Sequence, residues 1–349
     1  MKTRVVPVEG WLKVVHFEEA ESGLNALIAV HDATLGPACG GCRIRPYPTF
    51  EAALDDVMRL SRGMTFKNAL GAIPFGGGKA VIIADPKTDK SEAMLRAFGR
   101  AVESMDGLYY TAEDSGVTEH DLDIVRRETK FVAGLAKAGQ GGNPSPFTAR
   151  GVFRGIEAAA RVRLGRADLS GLRVAVLGAG AVGMALAEML HDAGATLTVA
   201  DVNAAAVDEA VRRFGAVAVA PEDCIAADVD VFSPCALGGA INAASVTRLK
   251  APIVAGAANN QLLTPDMDAA LKARGVLYAP DYVINAAGVI SVGLEILGKW
   301  NAADLTARID RIGETLTSIF ERSAREGRPT GAIADAMAMD VIAKAKRAA

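Results

Sequence analysis

Three residues in the first third of the chain are equipped for proton chemistry: Lys67, Lys79 and Asp114. Lys67 closes an amphipathic helical pattern, and Lys79 follows it behind Gly76-Gly77-Gly78. Two lysines converging on one site repel each other, and partial burial then favours the uncharged form that a general base needs. Asp114, after a short strand pattern, adds a carboxylate for proton transfer. On this reading the glycines bring backbone close to a small ligand and present Lys79 at the mouth of a strand. The alternative is a turn that is glycine-rich for geometry alone, with Lys79 in solvent. Spacing does not choose between them. A phosphate loop is excluded, because Ile73 and Ala80 stand where that motif needs Gly and Ser or Thr.

A second constellation lies further on. Gly178-Ala179-Gly180-Ala181-Val182-Gly183 follows an apolar strand, Arg173–Leu177, and opens a helix, Ala181–Asp192. Asp201 ends the next strand, Thr196–Ala200. Glycines at these positions let the backbone turn tightly against a pyrophosphate, and the helix N-terminus supplies N–H donors and a positive dipole end. Asp201 suits the ribose hydroxyls of an adenosine and repels a 2′-phosphate, so NAD is favoured over NADP.

These sites need a scaffold. With 349 residues the chain is long enough for two domains. From Leu172, short apolar strands alternate with helical or turn-rich segments: 173–177, 196–200, 216–219, 229–232, 253–255 and 276–278. Six such strands fit a doubly wound parallel sheet, the Rossmann fold. Before them, Leu24–Val30 reads as a strand, and Thr49 caps a helix with the stripe Ala53, Val57, Leu60 and Met64. Ala80–Ala84 and Leu108–Thr111 read as further strands, and Thr118 with Asp121 forms a capping box. Ala138–Phe147, rich in Gly and Pro, reads as a linker, and long helical patterns follow Gly298. The expected division is a substrate and oligomerisation domain over 1–140, a Rossmann domain over 141–300, and C-terminal helices over 301–349 that pack back across the junction.

Composition narrows the partners. Half the residues are hydrophobic, 23% are charged and the net charge is -3, which leaves no footprint for nucleic acid or an anionic membrane. The basic cluster Lys344–Arg347 is expected on a solvated helix face. No apolar run reaches a membrane-spanning length of roughly 20 residues, and no secretory leader is evident, so the cytoplasm is the expected compartment. Cys39 and Cys42 form C-x-x-C, but Cys224 and Cys235 are too widely spaced to complete a zinc ribbon, and the four histidines lack ligand spacing. No metal is expected.

The chain resembles the leucine/phenylalanine/valine dehydrogenase family. The resemblance is carried, in order, by Leu35-Gly36-Pro37, Gly40-Gly41-Cys42-Arg43, Met64-Thr65-Phe66-Lys67, Gly76-Gly77-Gly78-Lys79 and Thr111-Ala112-Glu113-Asp114. Pro234-Cys235-Ala236-Leu237-Gly238, Ala257-Ala258-Asn259-Asn260 and Asn285-Ala286-Ala287-Gly288 continue it. It spans most of the chain, and as a set these segments are highly specific.

The resemblance implies an NAD-dependent, homo-oligomeric enzyme that deaminates a hydrophobic L-amino acid to a 2-oxo acid and ammonia. Lys79 would be the general base that activates water, and Asp114 would exchange protons with the substrate amine. Lys67 would bind the substrate carboxylate, assisted by Asn260, with Gly41 and Met64 nearby. Thr148, Asn259 and Asn285 would serve the nicotinamide end, with Cys235, Ala236 and Ala257 lining the dinucleotide groove. Cys39, Ala112, Val289 and Val292 would form an apolar side-chain pocket. The two valines look leucine-type, while the small Cys39 leaves room for the ring of phenylalanine or tryptophan. Packing in the core is the plainer reading of these four. A cleft between domains would exclude water from hydride transfer when it closed.

Two positions depart from the family pattern: Cys42 where Thr is common, and Gly183 where leucine-type members usually have Ala. Two other classes stay open: a Rossmann oxidoreductase for an alcohol or 2-hydroxy acid, and a non-catalytic NAD-binding regulator. The first commonly uses a His, a Tyr-Lys pair or zinc, none of which is evident. Intact Lys67, Lys79 and Asp114 argue against the second.

Overall fold

The computed structural model describes residues 1–135 and 144–348, and its chain separates into two units. The first comprises Met1–Gly142, Val289–Asn301 and Ala338–Ala349; the second comprises Asn143–Gly288 and Ala302–Met337. Residues 289–300, which the sequence division assigns to the Rossmann domain, cluster with the N-terminal unit. The predicted boundary at 140 lies outside the described residues, as does the 138–143 part of the predicted linker. Its last residues, Ser145–Phe147, are helical rather than linker, because Pro146 is tolerated in a first helical turn.

The first unit contains β1 (Lys2–Val5), β2 (Lys13–Glu19), β3 (Leu24–Asp32), β4 (Ala38–Arg45), α1 (Phe50–Leu70), β5 (Gly76–Ile83), α2 (Glu92–Glu103), β6 (Tyr109–Ala112) and α3 (Glu119–Val125). Its sheet has the order β1-β2-β3-β5-β4-β6, antiparallel as far as β5 and parallel from β5 through β4 to β6. Helices cover both faces. Val14, Leu27, Ala29 and Val81 pack with Ala53 and Val57 of α1 on one face. Phe17, Ile28, Cys42, Ile82 and Tyr109 pack with Phe98 of α2 and Leu122 of α3 on the other. Burying one such large apolar side chain contributes about 1.5–3 kcal/mol.

The predicted caps are present. Thr49 accepts from the Ala52 N–H at 3.1 Å, and Thr118 and Asp121 form the reciprocal capping box. Two expectations need correction. The buried stripe of α1 begins with Ala53 and Val57 but continues through Ser61, Thr65 and Asn68, leaving Leu60 and Met64 half-buried. These polar residues are buried because they have partners: Trp11 donates to Ser61 (2.9 Å), His31 bonds Thr65 (2.9 Å), and Asn68 donates to the Gly76 carbonyl (2.6 Å). Gly76-Gly77-Gly78 is also no turn. It is the first half of β5, and Lys79 stands inside the strand rather than at its mouth.

The second unit contains α4 (Ser145–Leu164), β7 (Arg173–Leu177), α5 (Ala181–Asp192), β8 (Thr196–Ala200), α6 (Ala204–Phe214), β9 (Val217–Ala218), α7 (Pro221–Cys224), β10 (Val231–Pro234), α8 (Ala243–Arg248), β11 (Ile253–Val254), α9 (Asp266–Ala273), β12 (Leu277–Tyr278) and α10 (Asp281–Ile284). All six strands are parallel, in the order β12-β11-β10-β7-β8-β9, which is the doubly wound arrangement with its switch point between β7 and β10. The chain continues through α11 (Ala287–Ile296), α12 (Ala302–Glu326) and α13 (Thr330–Ala348). The basic C-terminal cluster is exposed at Lys344, Lys346 and Arg347, and Lys346 pairs with Asp32 at 3.2 Å. Among the described residues no helix is long and apolar enough to cross a membrane.

Candidate active site

The register of the first sheet assembles the proton-handling residues. β5 pairs Gly77 with Cys39, and β6 pairs Ala112 with Gly41. Because side chains alternate along a strand, Cys39, Gly41, Arg43, Lys79 and Ala112 all belong to the face covered by α1. Lys79 is only 7% exposed, and its ammonium contacts the Asp114 carboxylate. Lys79 therefore meets Asp114, one of the two neighbours that the sequence offers it.

Asp114 is held from several sides. Its Oδ1 accepts the Ser115 N–H at 2.7 Å, and Arg43 Nε lies 3.4 Å from the Oδ2 that contacts Lys79. Burial opposes ionisation of this carboxyl, but the Lys79 and Arg43 charges outweigh it and hold the group below its ordinary value. Arg43 also reaches Asp56 Oδ2 at 3.1 Å, where Tyr47 donates at 2.7 Å, and Arg59 donates to Asp56 Oδ1 at 2.7 Å. Arg43 has no role assigned from the sequence, and Asp56 and Tyr47 carry no motif that would have singled them out. The available signal was position: Arg43 stands two residues beyond Gly41, on the same face of the strand.

The glycines are explained by close approach. A Cβ on Gly41 would lie 3.0 Å from Asp114 Cβ, and one on Gly40 would lie 3.0 Å from Met64 Cγ. Lys67 stands about one helical turn beyond Met64, half-buried, in the part of α1 tied to the starts of β4 and β5. Asn68 ties this part of α1 to β5 through the Gly76 carbonyl and to β4 through the Cys39 carbonyl (3.4 Å). A side chain at Gly77 would collide with the Thr65 backbone, which cannot rotate away. Gly77→Ala should therefore displace α1, with a cost of about 1–3 kcal/mol. A thermal melt and the substrate KM check this; an unchanged melting point with unchanged KM would show that α1 need not lie so close.

The four predicted side-chain pocket residues all belong to the first unit. Cys39 is buried, Ala112 is 9% exposed, and Val289 and Val292 lie on α11. Burial pushes the Cys39 thiol up to about 12. Cys42 sits on the opposite face in the α2 core, where burial raises its thiol too, so neither forms a reactive thiolate at neutral pH. Among the described residues no group of three or more His, Cys, Asp or Glu could hold a metal ion.

In the second unit the glycine motif lies between β7 and α5, as the spacing predicts. Gly183 is closed to any side chain by the Gly178 carbonyl, and a Cβ on Gly178 would lie 2.7 Å from Ala236 N. Gly180, by contrast, is exposed, with open space where its Cβ would be. It is the N-cap of α5 and offers no side-chain acceptor, so the first-turn N–H groups around Ala181 and Val182 have no cap of their own. A pyrophosphate fits that cradle. Asp201 is fixed beside it: one oxygen accepts from Ala179 N–H (2.6 Å), the other from Asn203 N–H (2.8 Å).

The remaining predicted residues form a second group in this unit. Asn285, 6% exposed, donates to the Ala257 carbonyl (3.0 Å) and to Asn259 Oδ1 (2.8 Å). Asn260 adopts left-handed backbone, φ 52°. Cys235 follows β10 with its Cβ 3.6 Å from the place of a Gly183 Cβ, and Thr148 lies in the first turn of α4. Register and contact thus unite Lys79, Asp114, Gly41 and Ala112 in one unit, and the glycine motif with Asp201, Cys235 and Ala236 in the other.

Known proteins carry the same organisation. A family model described as the Glu/Leu/Phe/Val dehydrogenase dimerisation domain matches residues 12–131, and the Glutamate/Leucine/Phenylalanine/Valine dehydrogenase model matches 203–349. Leucine dehydrogenase of Bacillus subtilis (strain 168) is 46% identical over 336 residues, covering 96% of this chain and 92% of that protein. L-tryptophan dehydrogenase of Nostoc punctiforme is 45% identical over 325 residues, covering 93% and 91%. The crystal structure of the Nostoc punctiforme L-tryptophan dehydrogenase superposes with a TM-score of 0.86 over 97% of each chain, at 43% identity. The chain belongs to the glutamate/leucine/phenylalanine/valine dehydrogenase family.

Proposed function

We propose that the protein catalyses the reversible, NAD-linked oxidative deamination of a hydrophobic L-amino acid, with leucine and other branched-chain amino acids favoured. The observation that carries this reading is the buried Lys79–Asp114 contact beside Gly41, in a chain that also holds a complete dinucleotide motif. The curated relatives named leucine dehydrogenase support the aliphatic preference, and those named for tryptophan or phenylalanine support aromatic amino acids as the second reading.

In this mechanism Lys67 binds the substrate carboxylate, assisted by Asn260. Asp114, ionised at neutral pH, holds the substrate amine. Bound on the glycine motif, NAD supplies the acceptor for the Cα hydride. Lys79 first passes its ammonium proton to Asp114, and the free amine then takes a proton from water as the water oxygen bonds to the imino carbon. Asp114 passes the proton it received to the nitrogen, the C–N bond breaks as the hydroxyl proton returns to Asp114, and ammonia and the 2-oxo acid leave. Lys79 and Asp114 are in contact, so one proton can move between nitrogen and carboxylate away from bulk water. Thr148 and Asn285 orient the nicotinamide end, with Asn259 held by Asn285. A homo-oligomer belongs to the same proposal; one relative of similar fold is described as a hetero-hexameric glutamate dehydrogenase.

Asp201 is assigned the choice of NAD over NADP. Asp201→Ala removes a charge-assisted hydrogen bond to the ribose, which contributes about 1.5–3 kcal/mol, and the repulsion of a 2′-phosphate. The ratio of kcat/KM with NAD to that with NADP should fall about 10–100-fold by the same measure. A ratio that stays put would remove Asp201 from this role. The substrate assignment is tested with L-leucine, L-valine, L-isoleucine, L-phenylalanine and L-tryptophan, with lactate and malate as controls. Peak turnover on aliphatic members is expected. A peak on an aromatic member would favour the second reading, and turnover of a hydroxy acid alone would refute deamination.

A further inference from the structure

Residues 131–135 run alongside β6. Val132 bridges to Thr111 in parallel, the Thr111 N–H donates to the Phe131 carbonyl (3.0 Å), and the Ala133 N–H donates to the Thr111 carbonyl (2.9 Å). This fixes the segment beside the strand that carries Ala112. Gly134 has left-handed backbone, φ 82°. There the Glu295 side chain of α11 accepts the Gly134 N–H at 3.0 Å and the Leu135 N–H at 3.4 Å.

Glu295 stands one helical turn beyond Val292, and Val292 one turn beyond Val289. Among the described residues, a Cβ on Gly134 would meet two atoms within 4 Å: Val292 Cγ2 at 3.9 Å and Ala112 Cβ at 4.0 Å. Gly134 therefore presents bare backbone between two of the proposed pocket residues. The other side of α11 is anchored too, since Gly71 and Gly293 bring Ile290 and Ile73 into close packing.

We propose that Gly134 is a fifth wall of the substrate side-chain pocket and that Glu295, by clamping the Gly134–Leu135 backbone, is the positioning residue that sets its width. The proposal rests on the deamination reading above and deepens it. The absent side chain at Gly134 leaves room beside Ala112 and Val292, and left-handed backbone keeps that position glycine. The carboxylate is suited to the clamp, because its two oxygens accept two successive backbone N–H groups. Removing the clamp frees the wall to retreat; adding a methyl to Gly134 moves it inward.

The test is the ratio of kcat/KM values for L-valine, L-leucine and L-phenylalanine, which does not depend on how much of a variant is folded. Gly134→Ala should shift preference toward the smaller substrate, with leucine losing about tenfold against valine, the lower end of what one methylene is worth in an apolar pocket. Glu295→Ala should do the reverse, with phenylalanine gaining on leucine about 2–12-fold, the span of a typical net hydrogen bond. Glu295→Gln, which keeps one acceptor, should lie between Glu295→Ala and the unmodified enzyme and serves if the alanine variant does not fold. NADH affinity should stay unchanged throughout. Ratios within twofold of the unmodified enzyme, or losses parallel for all substrates, would overturn this proposal alone. Silence of the unmodified enzyme on all three would overturn the deamination reading with it.

Discussion

Lys79→Ala should lower kcat for deamination by about 10²–10⁴-fold, the usual contribution of a positioned general base, while leaving NADH affinity within about twofold. The residue is buried against Asp114 in the first unit, whereas the glycine motif and Asp201 belong to the second. The variant loses the group that takes the proton from water and keeps the cradle for the dinucleotide. Lys79→Arg retains a positive charge but no accessible base, so it should fail similarly. Turnover of Lys79→Ala is followed by NADH formation and cofactor affinity by NADH fluorescence. Activity within tenfold of the unmodified enzyme would reassign the base.

Asp114→Asn tests the other half of the pair. It should lower kcat by about 10²–10⁴-fold, because an amide neither accepts nor returns a proton. It should also cost about 1.5–3 kcal/mol of stability, since Lys79 exchanges a carboxylate for a neutral acceptor and Arg43 loses one of its two carboxylate partners. The pH dependence has a definite sign. Asp114 has its folded pKa depressed, so its contribution to stability is present above the ordinary carboxylate value of about 3.9 and is lost as pH falls through the folded value. Denaturant melts should therefore show the variant and the parent converging as the solution is acidified below about pH 4. A constant gap down to strongly acid pH would mean that Asp114 is not held ionised by its neighbours.

The cofactor half of this protein was legible in the sequence because local and tertiary demands agree there. Arg173–Leu177 and Thr196–Ala200 are apolar runs bounded by turn residues, and both strands and the intervening helix Ala181–Asp192 fall where the pattern puts them. The capping residues Thr49 and Thr118 were legible for the same reason: an N-cap acts over three residues.

The catalytic half was legible in its residue types but not in its framework. β4 and the first half of β5 carry Gly40, Gly41 and Gly76–Gly78, which local propensity reads as turns. They pair as strands, and they are glycines because the backbone of Gly78, Glu113, Asp32 and Thr65 and the ring of Tyr109 lie so close that no side chain fits. The polar stripe Ser61, Thr65 and Asn68 defeats an amphipathic reading of α1, since each is buried by virtue of a distant partner. Arg43 with Asp114, and Glu295 with Gly134, are separated by 71 and 161 positions, distances over which spacing carries no signal.

The most direct test is product stoichiometry with L-leucine and NAD as the only substrates. Equal amounts of NADH, ammonia and 2-oxo acid are expected, formed by the unmodified enzyme and lost together in Lys79→Ala. NADH formed without ammonia, or ammonia released at an undiminished rate by Lys79→Ala, would contradict oxidative deamination by this buried pair.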